Sequence, residues 1–245
     1  MDFNNKRVLI SGGSSGIGRA LVVNLLNQGA SVFTCARDVS TLVELQDQYP
    51  QLHVVQADIC LAEHRQRIFN EILRSGETLD ALFNNAGVQY AVEIGTAGDE
   101  LTQQIEQELQ INLCAQLQMC DKFLPLLKKS ERALIVNVSS CLALTPKRSA
   151  PVYCASKAAI SSFSRALAYQ LEGSNVAVAV IYPPLVDTSM TAGREAKTIS
   201  AESCAEDIVA QLGRGRRQVF VGKARALRLI HRVFPGLAAR ILKNS

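Results

Sequence analysis

Tryptophan is missing from this chain, and aromatic residues make up only 5% of its 245 residues, so the composition gives little sign of a platform for stacking flat rings. No apolar run approaches the ~20 residues that span a bilayer. The chain enters its first strand-like run almost directly, so no signal peptide is expected. Seven cysteines, at 35, 60, 114, 120, 141, 154 and 204, show no two-residue ligand spacing. Their odd number argues against a complete disulfide framework, so reduced cytoplasmic thiols and no metal site are expected. Low-complexity tracts, repeats and linkers are also absent, and at 48% hydrophobic and 20% charged the chain suffices for one core.

What is present is alternation. Strand-like and helix-like segments alternate from Lys6 to about Val221, as in a single doubly wound Rossmann-type α/β domain, a seven-stranded parallel sheet with helices on both faces. Strands are expected near 7–11, 31–36, 52–56, 79–83, 132–138, 176–182 and 218–221, and long helices over Leu101 to Lys128 and Val152 to Leu171. Residues 1–222 would carry nucleotide and active site, with 223–245 a basic helical extension of the same domain.

Two local patterns carry chemistry. Val8-Leu9-Ile10 runs into Ser11-Gly12-Gly13-Ser14-Ser15-Gly16-Ile17-Gly18 and the apolar-periodic Ala20 to Leu26, which reads as strand, glycine turn and helix. Glycines let backbone approach a pyrophosphate, and the free N–H groups and dipole of a helix N-terminus favour negative charge. Tyr153 and Lys157 stand four residues apart, on one helical face, with Ser140 thirteen positions upstream of the tyrosine. A tyrosine titrating near ~10 is a poor acid–base catalyst at neutral pH unless a cation stabilises its charged form, and Lys157 can supply that cation.

The three-residue first gap of the glycine turn, Asn84-Asn85-Ala86-Gly87 after Ala81-Leu82-Phe83, Asn112 in a long helix, and the Ser140, Tyr153 and Lys157 set together resemble the short-chain dehydrogenase/reductase family. Asn85 to Gln89, Tyr182-Pro183-Pro184-Leu185-Val186-Asp187-Thr188 and His231 to Leu237 are similar to its DltE-like subgroup. The resemblance implies hydride transfer between a nicotinamide and a carbonyl or secondary alcohol carbon. It implies that Ser140 donates a hydrogen bond to the carbonyl oxygen, with Ser139 the substitute, while Tyr153 delivers the proton. Lys157 would lower the tyrosine pKa and bind the ribose hydroxyls, and Asn112 would hold a water that relays protons to it. Gly12, Ser14, Ser15, Gly16, Ile17 and Gly18 would cradle the pyrophosphate. Asp58, with Ile59 beside it, would meet the adenine, Asn85, Ala86 and Gly87 would wall the pocket, and Pro183, Val186 and Thr188 would seat the carboxamide.

Pro184 departs from the family's usual glycine; it fixes φ near ~−65° and removes an N–H, a restraint shared with the subgroup. At the end of the second strand, Ala36-Arg37 stands where NAD-binding relatives carry an acid. A guanidinium can bond a 2′-phosphate, so NADP(H) is expected over NAD(H), although Asp38 next to it could present a carboxylate instead.

Substrate choice would lie with Asp187 to Ser200 and Ala143 to Pro151, and Lys147, Arg148 and Arg194 read more readily as a solvated face than as an anion site. A small or medium carbonyl compound is expected. From Arg214 to Ser245 there are nine Lys/Arg and no acid; taking these from the overall +4 leaves −5 for residues 1–213. Leu227, Ile230 and Phe234 mark one face of a helix there and Arg225, Arg228 and Arg232 another, broken at Pro235-Gly236. A cap on the domain is favoured over anionic-membrane contact through 214–243, and nucleic-acid binding is not expected. A homodimer is expected, with a tetramer as the alternative. Two other readings stand beside the oxidoreductase: a non-catalytic NADP(H)-binding sensor or membrane scaffold, and a 3-oxoacyl-thioester reductase docking an acidic carrier protein.

Overall fold

The computed structural model describes residues 1–95, 98–191 and 198–244. Among them, β1 (Arg7–Ser11), β2 (Ser31–Ala36), β3 (Leu52–Gln56), β4 (Ala81–Asn84), β5 (Ala133–Val138), β6 (Val176–Tyr182) and β7 (Gln218–Phe220) form one all-parallel sheet. Its order is β3-β2-β1-β4-β5-β6-β7. Because side chains alternate across a strand, Val8 and Ile10 join one core and Leu9 the other. The first core packs under α1 (Gly16–Asn27) and α7 (Ala201–Gly213) through Leu21, Leu25, Ile208 and Leu212. The second packs under α3 (Ala62–Arg74), α5 (Ala115–Lys128) and α6 (Pro151–Gln170) through Ile68, Phe123 and Leu167. Burial on both faces explains why the strands read as near-continuous apolar runs.

Two elements differ from the sequence expectation for physical reasons. β4 starts at Ala81, because the preceding Asp80 carboxylate is pinned by Arg7 N at 2.9 Å and Ser130 Oγ at 2.7 Å. The helix expected over 101–128 is three pieces: α4 (Asp99–Leu109), a π-helical turn (Gln110–Cys114) and α5. Wide turns of this kind often sit at functional sites, and this one holds Asn112. The C-terminal segment folds as α8 (Ala224–Val233) and α9 (Pro235–Leu242), broken where expected.

The chain order reverses between β1 and β4, so the crevice beyond the carboxyl ends of the strands opens there, the place where ligands bind in open α/β sheets.

Candidate active site

Beyond β1 the chain turns at Gly12, whose φ of +71° suits glycine. A Cβ there would sit 2.9 Å from the Ala86 Cα, so this turn and the one after β4 touch backbone to backbone. Asn85 locks them: its Nδ2 donates to Ser11 O at 3.0 Å and Gly12 O at 3.1 Å, while its N–H donates to Ser11 Oγ at 3.0 Å. Among the described residues Ser15 caps α1 without a side-chain hydrogen bond, and no acid lies in the first helical turn. Open N–H groups of that kind suit a phosphate.

A cavity of about 500 Å³ runs along this turn, bordered by Arg37 after β2, Asp58 and Ile59 after β3, and Tyr153 and Lys157 of α6. Its size and donors fit a dinucleotide. Arg37 is exposed. The Asp38 carboxylate accepts from Ser40 N at 2.9 Å, and that bond holds its carboxyl below the ordinary range. Asp38 therefore braces the start of α2 (Ser40–Gln46) and does not border the cavity. Asp58 likewise turns one oxygen to Cys60 N at 2.9 Å.

Tyr153 and Lys157 meet as their spacing requires: the Lys157 Nζ lies 5.6 Å from the tyrosine ring centroid. Lys157 is 2% exposed and donates to Val138 O at 2.9 Å. Burial pushes it down to about 8, against the pull of the Glu108 carboxylate. Ser139 Oγ donates to Lys157 O at 2.8 Å and meets Ser161 Oγ at 2.7 Å, so it faces α6. Ser140 Oγ accepts from Leu142 N at 3.1 Å and borders a second cavity together with Tyr153. Asn112 clamps the β4 turn, its Oδ1 accepting from Val88 N at 2.9 Å and its Nδ2 donating to Val88 O at 2.8 Å. A Cβ on Gly87 would stand 3.0 Å from that Oδ1 and 3.5 Å from Lys157 Nζ, so the asparagine and the lysine approach each other across a glycine.

The second cavity, of about 900 Å³, shares Tyr153, Pro183 and Thr188 with the first. Val186, in an isolated bridge to Ile199, borders only the second, and its carbonyl accepts from Thr191 Oγ1 at 2.6 Å. Leu227 and Ile230 of α8 and Ile241 and Leu242 of α9 also line this cavity, so the basic extension walls the site. Lys147 is buried at the same cavity, against the expected solvated face, because the loop before α6 turns it inward; Arg148 is exposed as expected, and Arg194 falls outside the described residues. Among the described residues no helix is long and apolar enough to cross a membrane.

Glu108 is the residue that sequence reasoning missed. It is 0% exposed, four positions before Asn112 on α4. That spacing was available as a signal, but nothing in Glu106-Gln107-Glu108 tells which acid is buried.

A family model described as short chain dehydrogenase matches residues 6–198. The chain is a short-chain dehydrogenase/reductase. It is 34% identical over 234 residues to the uncharacterized oxidoreductase DltE of Bacillus subtilis, covering 93% of this chain and 92% of the relative, which puts this oxidoreductase in the DltE-like subgroup. A short-chain dehydrogenase from Burkholderia cenocepacia, solved in complex with NADP, superposes with a TM-score of 0.87 at 26% identity, over 99% of this chain and 100% of that one. One from Burkholderia phymatum, in complex with NAD, shares the fold at 21% identity and a TM-score of 0.85, over 97% and 96%. Short-chain dehydrogenase/reductases use nicotinamide cofactors.

Proposed function

We propose that this short-chain dehydrogenase/reductase is an NADP(H)-dependent carbonyl reductase working through Tyr153, Lys157, Ser140 and Asn112. One observation carries the reading: the two cavities meet at Tyr153, with Lys157 against its ring. When bound, the nicotinamide supplies the hydride. Ser140 Oγ donates to the carbonyl oxygen and Tyr153 gives that oxygen its proton, a stabilisation that grows as negative charge develops. Lys157, charged below about 8, favours the tyrosinate and holds the ribose hydroxyls. Asn112 fixes the β4 turn against α6 so that Lys157 keeps its place. Arg37 takes the 2′-phosphate, supported by its position at the cavity and by the engagement of Asp38 elsewhere. In solution the chain pairs as a homodimer through α5 and α6.

Following NADPH absorbance against ketones, aldehydes and acyl thioesters tests the reading. Tyr153→Phe should lower turnover by about a thousandfold while leaving NADPH affinity within about twofold. Unchanged turnover would remove Tyr153 from the mechanism.

A further inference from the structure

Building on the carbonyl-reductase reading, we propose that the second cavity takes a substrate whose carbonyl carries a long aliphatic tail, and that α8 and α9 form the wall that selects it. Ser140 and Tyr153 mark the reactive end. Elsewhere the wall is mostly aliphatic, through Leu142, Leu185, Leu227, Ile230 and Leu242, with Gln89, Lys147, Thr191 and Lys223 as polar members at which a substrate's polar end could lie. Apart from Tyr153 no aromatic ring lines it among the described residues, so it offers a methylene chain contact and a planar ring no stacking face. At about 900 Å³ it lies near the top of the range for small-molecule sites, roughly 300–1,000 Å³, far beyond what a small ketone would fill.

The wall is fixed to the domain. Arg225 binds Asp207 Oδ2 at 2.8 Å, and the Arg228 guanidinium lies 4.7 Å from the Phe220 ring centroid. Ala224 and Ala238 are buried at 1% and 0%. Leu227 and Ile230, three apart on one face of α8, are held toward the cavity by these anchors.

Hexanamide, octanamide and decanamide carry the carbonyl but resist hydride, so their calorimetric binding to the full-length protein with NADPH separates the cavity from the reaction. The dissociation constant should fall about fourfold per added methylene. Leu227→Asp should flatten that dependence, and Leu227→Ser, a milder change, should weaken it. A constant that does not vary with length, or no binding at all, would overturn the proposal. Failure of every matching alkanal and methyl ketone to consume NADPH would instead overturn the reductase reading and leave the binding result standing.

Independently of the cavity, the structure assigns Glu108 as a positioning residue that holds the charge of Lys157 in the proposed mechanism. Its carboxylate is fully buried where α4 packs on α6, the helix of Tyr153 and Lys157, one helical turn before Asn112. Oε1 accepts from Tyr90 N at 3.4 Å, and among the described residues Oε2 has no hydrogen-bond partner. Lys157 and Cys154, both on α6, feel its charge. Burial raises its carboxyl to about 7, with the Tyr90 N–H and Lys157 opposing. A carboxyl raised by folding contributes stability that is present below its ordinary ~4.3 and lost as pH rises through the folded value.

Glu108→Gln, which keeps the shape, tests this. Between pH ~4.3 and about 7 the urea midpoint of the wild type should fall relative to that of the variant. In turnover the two pH profiles should superimpose below about pH 6, where both side chains are neutral, and separate by about tenfold above pH 8 as Lys157 loses its proton earlier in the variant. A ratio constant at every pH, or a midpoint difference that ignores pH, would reduce Glu108 to packing.

Discussion

The cavity along the glycine turn is walled largely by short stretches at strand ends, Gly12 to Gly18, Arg37, Asp58 and Asn85 to Gly87, with Tyr153 and Lys157 of α6, whereas the chamber beyond Tyr153 is walled by the stretches after β5 and β6 and by α8 and α9. The first is held by backbone: Gly12 N donates to Cys35 O at 2.8 Å, and Asn85 bonds two carbonyls of the turn. The second is held by side chains packed from loops and from α8 and α9. Backbone contact admits almost no variation, since a displaced carbonyl loses its partner. Aliphatic packing admits many side chains of similar volume. One fold can therefore keep its nucleotide half while its substrate half is remade.

The sharpest way to break this contrast is at Gly18. An added Cβ would overlap the Gly12 carbonyl oxygen and Asn85 Nδ2, and neither moves without disturbing the bonds that join the two turns. Gly18→Ala should weaken NADPH binding by about a hundredfold, on the order of 3 kcal/mol, and lower the thermal midpoint. Fluorescence titration measures the first; unchanged affinity would mean that the turn does not cradle the nucleotide. Next in size is Arg37→Ala. Because this arginine is exposed, the proposed bond to the 2′-phosphate is discounted to about tenfold in NADPH affinity, with NADH binding unaltered. Equal losses for both nucleotides would show that Arg37 does not read the 2′-phosphate.

The same division explains what could be read from the sequence. Glycine turns, β-branched runs and the Tyr153–Lys157 spacing are local, and local geometry turns them into position: the two side chains meet because α6 is regular from Pro151 to Gln170. The π-helical turn carries no Gly or Pro to announce it, since Gln110-Ile111-Asn112-Leu113-Cys114 is an ordinary helical string. The widening there accompanies the Asn112 clamp on Val88, a contact across 24 residues. Glu108 is hidden for a similar reason: its burial is decided by α6 and the β4 turn, elements that its neighbours do not encode. For α8 the apolar stripe was visible, but the cavity that it faces was not, because the opposite wall lies near Leu142 and Leu185.

Smaller effects sharpen the substrate half. Leu227→Ala removes part of a half-buried wall, so KM for a tailed carbonyl should rise about fivefold, near 1 kcal/mol, with kcat unchanged. A fall in kcat alone would place Leu227 in the chemistry and not in tail binding. Smallest of all is the response to thiol reagents. Cys141 and Cys154 adjoin Ser140 and Tyr153, yet both are buried; burial pushes the first up to about 12 and raises the second. A thiol held protonated is a poor nucleophile. Iodoacetamide should therefore label the exposed Cys114 first, with turnover unchanged, as peptide mass spectrometry and NADPH consumption would record. Early loss of activity with label on Cys141 would mean that the chamber wall opens to solvent, and that its packing is looser than the anchoring of α8 by Asp207 and Phe220 requires.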